Sequence, residues 1–327
     1  MKFFALFFLL MGSLIGPVTS DSSKVKAQAS EPVSLTTAEG LVLEGTLTLP
    51  AGSAGPVPVV LLIAGSGPTD RNGNSGPALQ SNAYRLLADS LAQRGVAMLR
   101  YDKRFSGANV KTALKLIKPE AILFDSYVAD AVGFARLLQA DSRFSRVYVA
   151  GHSEGSLVGM LAARQLGAAG FISLAGAGRN IADVLKAQFE TAVPAGDRPA
   201  AGLMLDTLRM NRPVSVVPMS LLMMGFGPMN QPFLRSWMQY DPAVEITRYK
   251  GPVLIIQGDR DVQVAVSEAE RLRAARPDAR YELVPGMSHI LKEGPTDRAA
   301  NIKTYSEPNR PLMPGLAQTI VSFVGKE

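Results

Sequence analysis

The stretch Val147-Tyr148-Val149-Ala150-Gly151-His152-Ser153-Glu154-Gly155-Ser156-Leu157-Val158 constrains this chain more than any other. Its first residues are apolar and rich in β-branched side chains, which reads as a buried strand. Residues 160–166 read as helix. Between them lies Gly-His-Ser-Glu-Gly, a G-x-S-x-G in which the chain must reverse within a few residues. Gly151 and Gly155 leave room for the strand and helix backbones to approach. Such a turn lifts Ser153 Oγ above the end of a sheet and aims a helix N-terminus at it. Five residues with three fixed also arise by chance in ordinary strand-to-helix turns. The apolar strand before and the helix after are what give this one weight.

The rest of the chain supplies the strands such a turn needs. Residues 33–37 and 41–49 alternate apolar and polar around Ala38-Glu39-Gly40, which predicts an antiparallel hairpin. Residues 57–64 are nearly continuous Val, Leu and Ile, a strand buried on both faces. Helical spacing follows at 82–93, with Ala83, Leu86, Leu87 and Leu91 as the apolar face. The next buried strand, 96–101, runs into Asp102-Lys103-Arg104. Those charges are expected to fix loops, with Asp102 pairing with Arg104 or Arg71, rather than to meet a substrate. A helix at 122–138, the turn at Ser153, a strand from Gly170, a strand at 252–257, a helix at 267–275 capped by Ser267, a strand at 281–284 and a helix at 315–324 complete the rhythm. Strands alternating with helices predict an α/β fold, a mostly parallel sheet with helices on both faces.

The rhythm breaks over residues 177–250. The stretch has helical pieces at 181–191, 201–210 and 232–240, and over its whole length it carries seven methionines, Met204, Met210, Met219, Met223, Met224, Met229 and Met238, with Phe226, Phe233 and Trp237. We expect a helical cap insertion there, with the core formed by 31–176 and 251–327. Met, Phe and Leu would make an adaptable apolar wall for an acyl or aromatic substrate, although any single methionine is as well explained by packing.

Composition removes whole classes of chemistry. With 327 residues, 47% hydrophobic, the chain can bury a core near the upper size for one domain. The net charge of +6 is scattered, with no basic run interleaved with aromatics, so nucleic acid is not an expected partner. No cysteine is present, which excludes a thiol nucleophile, disulfides and thiolate metal sites. Only His152 and His289 are available as imidazoles, so no histidine-rich metal site can form, and no metal is expected. Lys2, an apolar run to residue 18 and small residues at Thr19-Ser20 have the pattern of a secretory signal over residues 1–20, extending to 29 if cleavage follows Ala29. The run is shorter than the roughly 20 residues of a spanning helix, which favours cleavage over an N-terminal membrane anchor. Export to a bacterial periplasm or the medium follows as the expectation, with no stable membrane insertion after cleavage.

Three further groups could join Ser153. The strand at 252–257 ends in Gly258-Asp259-Arg260-Asp261-Val262-Gln263-Val264. Asp261 lies further into the loop, with Val262 and Val264 to anchor it; Asp259, at the strand end, is better placed for local loop bonds. His289 follows the last strand in Pro285-Gly286-Met287-Ser288-His289. His152, its competitor, is adjacent to the serine in a sharp turn, where neighbouring side chains cannot easily make an Oγ to Nε2 bond. A serine hydroxyl needs a base within reach and a third group to orient that base. Ser153, Asp261 and His289 fill those roles in the chain order of elbow-type hydrolases. The loop Gly65-Ser66-Gly67-Pro68-Thr69-Asp70-Arg71-Asn72-Gly73-Asn74, at the carboxyl end of a buried strand, could cradle phosphate or an oxyanion. It lacks the lysine and spacing of the phosphate motifs. The oxyanion reading, with the N–H groups of Ser66 and Glu154 as donors, fits Ser153 better.

At these residues the chain resembles the α/β-hydrolase superfamily, from its first strands to its end. Gly-His-Ser-Glu-Gly, the Ala64-to-Gly73 loop, Tyr-Asp-Lys-Arg, Gly-Asp-Arg-Asp and the final Ser-His carry the likeness. Within the superfamily it is similar to bacterial carboxylesterases grouped with serine aminopeptidase-like hydrolases. The resemblance implies an eight-stranded sheet, antiparallel near its start, with a cap after the sixth strand. It departs at Ala64, where many members have His, and at Phe105, where relatives often have Gly. The expected function is a cofactor-free serine carboxylesterase acting on small esters with short or medium acyl or aryl groups through an acyl-enzyme on Ser153. A serine peptidase or amidase on the same three residues and a catalytically inactive binding protein are the competing readings.

Overall fold

In the computed structural model, which describes residues 29–52 and 55–325, eight strands form one sheet. They are β1 (Ala29–Thr36), β2 (Val42–Leu49), β3 (Val57–Ile63), β4 (Ala97–Tyr101), β5 (Phe144–His152), β6 (Gly170–Leu174), β7 (Val253–Gly258) and β8 (Arg280–Val284). Their spatial order is β1-β2-β4-β3-β5-β6-β7-β8. β1 pairs antiparallel with β2 and β2 with β4, and every later pairing is parallel. The alternation in β1 and β2 fits an exposed hairpin, whereas β3 and β4 are buried almost throughout because helices cover both faces. The leader expected at residues 1–20 lies outside the described residues. Among those described, no helix is long and apolar enough to cross a membrane.

Side chains alternate between two cores. Leu61, Val149, Phe171 and Ile255 face helices Phe124–Ala140, Glu154–Leu166 and Val266–Ala275. Val60, Ala150, Ile172 and Ile256 face helices Ala83–Ala92 and Leu316–Val324. Period-2 alternation in a strand permits this division, and helices on both faces require it. Ser267 is not the cap of its helix: the helix begins at Val266, with Ala265 at the N-cap.

Residues 177–250 follow β6. Helices Ile181–Ala192, Arg198–Arg209, Met219–Met223 and Gln231–Trp237 share a separate cluster built on Phe189, Leu205, Leu208 and Leu221. The last helix of the stretch, Pro242–Arg248, instead buries Ile246 in the main core and packs against helices Glu154–Leu166 and Val266–Ala275. Asn180 ties the stretch together, capping its first helix at Ala182 N–H and donating to the carbonyls of Met238 and Tyr240.

Candidate active site

Ser153 sits between β5 and helix Glu154–Leu166 with φ 55° and ψ −121°, a conformation costly for any side chain. Packing enforces it. A Cβ on Gly151 would lie 1.9 Å from the Gly155 carbonyl oxygen, and one on Gly155 would lie 2.4 Å from that of Ile63. The two glycines therefore let β5, the helix and β3 meet at one point, and the serine between them is forced out at the carboxyl edge of the sheet.

The other groups arrive from the ends of β7 and β8. His289 Nδ1 is 2.8 Å from Asp261 Oδ2, and both side chains are buried. The second Asp261 oxygen accepts from the N–H groups of Gln263 and Val264. Burial works to raise the Asp261 carboxyl, but the charge and hydrogen bond of His289, with those two N–H groups, outweigh it and hold the carboxyl below its ordinary range. Asp259 accepts from Gly286 N–H and braces the loop that carries His289. Ser153 and His289 line one small cavity of about 80 Å³, although no hydrogen bond joins their side chains among the described residues.

His152 points elsewhere. Its Nδ1 lies 2.8 Å from the Tyr84 hydroxyl and its Nε2 lies 2.8 Å from the backbone oxygen of His289. Burial and the neighbouring charge of His289 hold its pKa down to about 3, so the ring is neutral at physiological pH. The Tyr84 hydroxyl also accepts from Gly65 N–H.

The glycine loop after β3 lies against the elbow: a Cβ on Gly65 would be 3.3 Å from Ser153 Cβ. No hydrogen bond among the described residues uses the N–H of Ser66 or Glu154; the latter is the first residue of its helix, where N–H groups lack an intrahelical partner. Asp70, further along the loop, and Asp102, directly after β4, organise the turn. Asp70 accepts from the N–H groups of Asn72 and Asn74, and Asp102 from those of Arg71 and Ala108. Arg104 pairs with Asp130 and Glu39 rather than with Asp102. The loop-fixing expectation for Asp102 thus holds through Arg71 alone.

Lys103 is different. Its Nζ is 2.8 Å from Glu154 Oε1 and 2.6 Å from the Gly65 oxygen, with both side chains of the ion pair buried. Neither Lys103 nor Tyr84 stands out as a site residue in the sequence. Lys103 lies in a charge triplet whose expected task is to fix loops, and Tyr84 lies on the buried face of an amphipathic helix.

A cavity of about 570 Å³ opens over Ser153 between the sheet edge and the 177–250 stretch. Ser66 and Ser153 line both cavities. Its walls include Phe105, Tyr127, Phe226, Phe233 and Trp237. Trp237 is stacked on Phe124 at 5.4 Å. Such a volume accommodates a small organic ligand.

Comparison with known proteins agrees with this architecture. Residues 74–210 match the model of the family described as serine aminopeptidase, S33. Over 256 residues the chain is 27% identical to esterase EstD of Thermotoga maritima, a match covering 77% of this chain; it spans 58% of the length of that relative. Est1E from Butyrivibrio proteoclasticus, solved with ferulic acid bound, superposes with a TM-score of 0.56 at 17% identity, covering 89% of this chain and 99% of that one. A puromycin-hydrolyzing peptidase of Mycobacterium tuberculosis gives 0.56 at 19% identity, covering 93% of this chain and 41% of that one. At these identities the structural likeness shows a shared fold.

Proposed function

The chain belongs to the α/β-hydrolase superfamily, and on that premise we propose that it is a serine carboxylesterase acting on small esters with acyl or aryl groups. The observation that carries the reading is Ser153, strained at the tip of the elbow, sharing a cavity with a histidine already bonded to a buried aspartate. In this reading Ser153 Oγ attacks the ester carbonyl while His289 takes its proton. Asp261 holds the ring through Nδ1 and stabilises the imidazolium. The N–H groups of Ser66 and Glu154 meet the oxyanion. His289 then protonates the departing alkoxide, and water, activated by the same ring, releases the acid. The groups for acyl transfer are all side chains and backbone of this chain.

Ester rather than aminopeptide substrates are favoured by charge. A substrate ammonium needs an unpaired acid. Glu154 is the one carboxylate on the large cavity among the described residues, and Lys103 neutralises it. The remaining wall is mainly aliphatic and aromatic, suited to an acyl chain or an aryl ring. Residues 1–20 support export as part of the same proposal, checked by N-terminal sequencing of the mature protein.

Turnover of p-nitrophenyl esters of graded chain length, measured beside aminoacyl p-nitroanilides, tests the reading. Ester hydrolysis should dominate and should vanish in Ser153→Ala, and a fluorophosphonate should label wild-type protein alone. Anilide turnover above ester turnover would move the assignment to a peptidase; absence of labelling would remove it.

A further inference from the structure

We infer that Lys103 is a positioning residue for the oxyanion hole, holding the N–H of Ser66 in register with that of Glu154. The inference rests on the esterase reading above and names a residue that the reaction scheme does not itself use.

Lys103 lies two residues beyond β4, and its side chain is 2% exposed. Burying an ammonium is costly unless its charge and its donors are both satisfied. Here the Glu154 carboxylate, 4% exposed, supplies the charge at 2.8 Å, and the Gly65 oxygen accepts at 2.6 Å. The face of the Tyr127 ring lies 5.0 Å from Nζ and adds a favourable contact for the cation.

A buried pair could stand anywhere in a fold; the two oxygens this one holds make it specific. Glu154 contributes its carboxylate to Lys103 and its backbone N–H to the hole. The Gly65 oxygen belongs to the peptide unit whose nitrogen is that of Ser66. That unit is planar and trans, so its C=O and N–H point in opposite directions. Pinning the Gly65 oxygen toward Lys103 therefore turns the Ser66 N–H to the other side, and Ser66 lines the cavities above Ser153. Gly65 N–H is held separately by Tyr84 at 3.2 Å, so the residue is clamped at both ends. Lys103 thus ties the two donors together through one side chain. Its hydrogen bond also polarises the Gly65–Ser66 amide, which strengthens the N–H at the moment an oxyanion forms.

The test separates positioning from folding. Lys103→Met alone would strand the buried Glu154 carboxylate, so the variant of choice is Lys103→Met with Glu154→Gln, which removes both charges and keeps the Glu154 backbone. Four quantities are read: kcat and KM on a p-nitrophenyl ester, affinity for a trifluoromethyl ketone whose adduct carries an oxyanion, and affinity for the secondary alcohol of the same shape. Complete loss of a hole donor costs roughly 10²–10³ in rate, so misorienting one should lower kcat about 10- to 100-fold. Ketone affinity should fall by about the same factor, while KM and alcohol affinity stay within about twofold. Equal losses for ketone and alcohol would mean a general packing defect and would overturn the proposal. So would a folded double variant with wild-type kcat. Independently of any variant, the Ser66 amide proton of the wild-type protein should move downfield when the ketone adduct forms, and an unmoved signal overturns the proposal even if the double variant does not fold. Wild-type protein that forms no adduct would defeat the hydrolase reading itself, and this inference with it.

Discussion

His152 Nε2 stands 2.8 Å from the backbone oxygen of His289, so the residue beside the nucleophile holds the main chain of the residue at the base position. A carbonyl oxygen accepts, so Nε2 carries the proton and Nδ1 accepts from the Tyr84 hydroxyl at 2.8 Å. That hydroxyl accepts in turn from Gly65 N–H. One buried chain of hydrogen bonds therefore joins the glycine loop, the elbow and the loop after β8. The arrangement gives the second histidine a mechanical task.

Tyr84→Phe removes the middle of that chain at almost constant volume. Gly65 N–H and His152 Nδ1 lose their partner, and a buried polar group left unsatisfied costs about 1–3 kcal/mol. We expect a folded protein with a lowered thermal midpoint and kcat on esters reduced about 10-fold. Calorimetry and steady-state kinetics check both.

Acid should weaken the fold through His152. Its pKa falls from an ordinary 6.5 to about 3 because burial, and then the charge of His289, disfavour the imidazolium. Between those values the unfolded chain binds a proton that the folded chain refuses. Stability is therefore complete above about pH 6.5 and drains away as pH falls toward 3, at up to about 1.4 kcal/mol per pH unit from this one group. Asp261, held below its ordinary pKa, adds a loss at the acid end of the same range. Urea midpoints measured from pH 7.5 to 5 should slope for wild type and flatten for His152→Gln. Parallel slopes for the two would contradict this account.

Asp261→Asn and Asp259→Asn should behave very differently. The first replaces the acceptor for His289 Nδ1, and loss of that partner elsewhere in Ser-His-Asp chemistry lowers kcat about 10⁴-fold. The second weakens one bond to Gly286 N–H, and kcat should stay within roughly fivefold of wild type, since a single exposed hydrogen bond is worth about 1 kcal/mol. A similar loss in both variants would place the orienting carboxylate elsewhere.

Gly155→Ala tests how tightly the elbow is packed. Its methyl group would fall 2.4 Å from the Ile63 oxygen, and backbone at that distance has no room to yield. We expect a loss of roughly 3 kcal/mol or more, or no soluble protein. Gly196→Ala, with nothing within 4 Å of the new methyl and no left-handed backbone, should be neutral in the same thermal melts.

Most of the architecture was legible in the chain itself. Apolar runs of strand length, separated by segments of helical period, place the core strands and most of their helices within a few residues. Short helices such as Val110–Leu116 and Arg298–Lys303 were missed because six or seven residues are too few to establish a period. The 177–250 stretch reads as one insertion, yet its last helix buries Ile246 in the main core and packs on two of the core helices, a distinction that depends on which face each helix buries.

The sequence alone determined the turn at Ser153, because a reversal between a strand and a helix needs small residues at fixed spacing, and that need is local. It also singled out Asp261 and His289 as candidates, since each follows a strand and few alternatives existed. Only the tertiary structure decided which polar groups meet. Lys103 reaches Gly65 across 38 residues and Glu154 across 51, and Tyr84 reaches His152 across 68. Those partnerships arise because β3 lies between β4 and β5, which brings three loops to one edge, and no pattern along the chain records the order in which strands lie side by side.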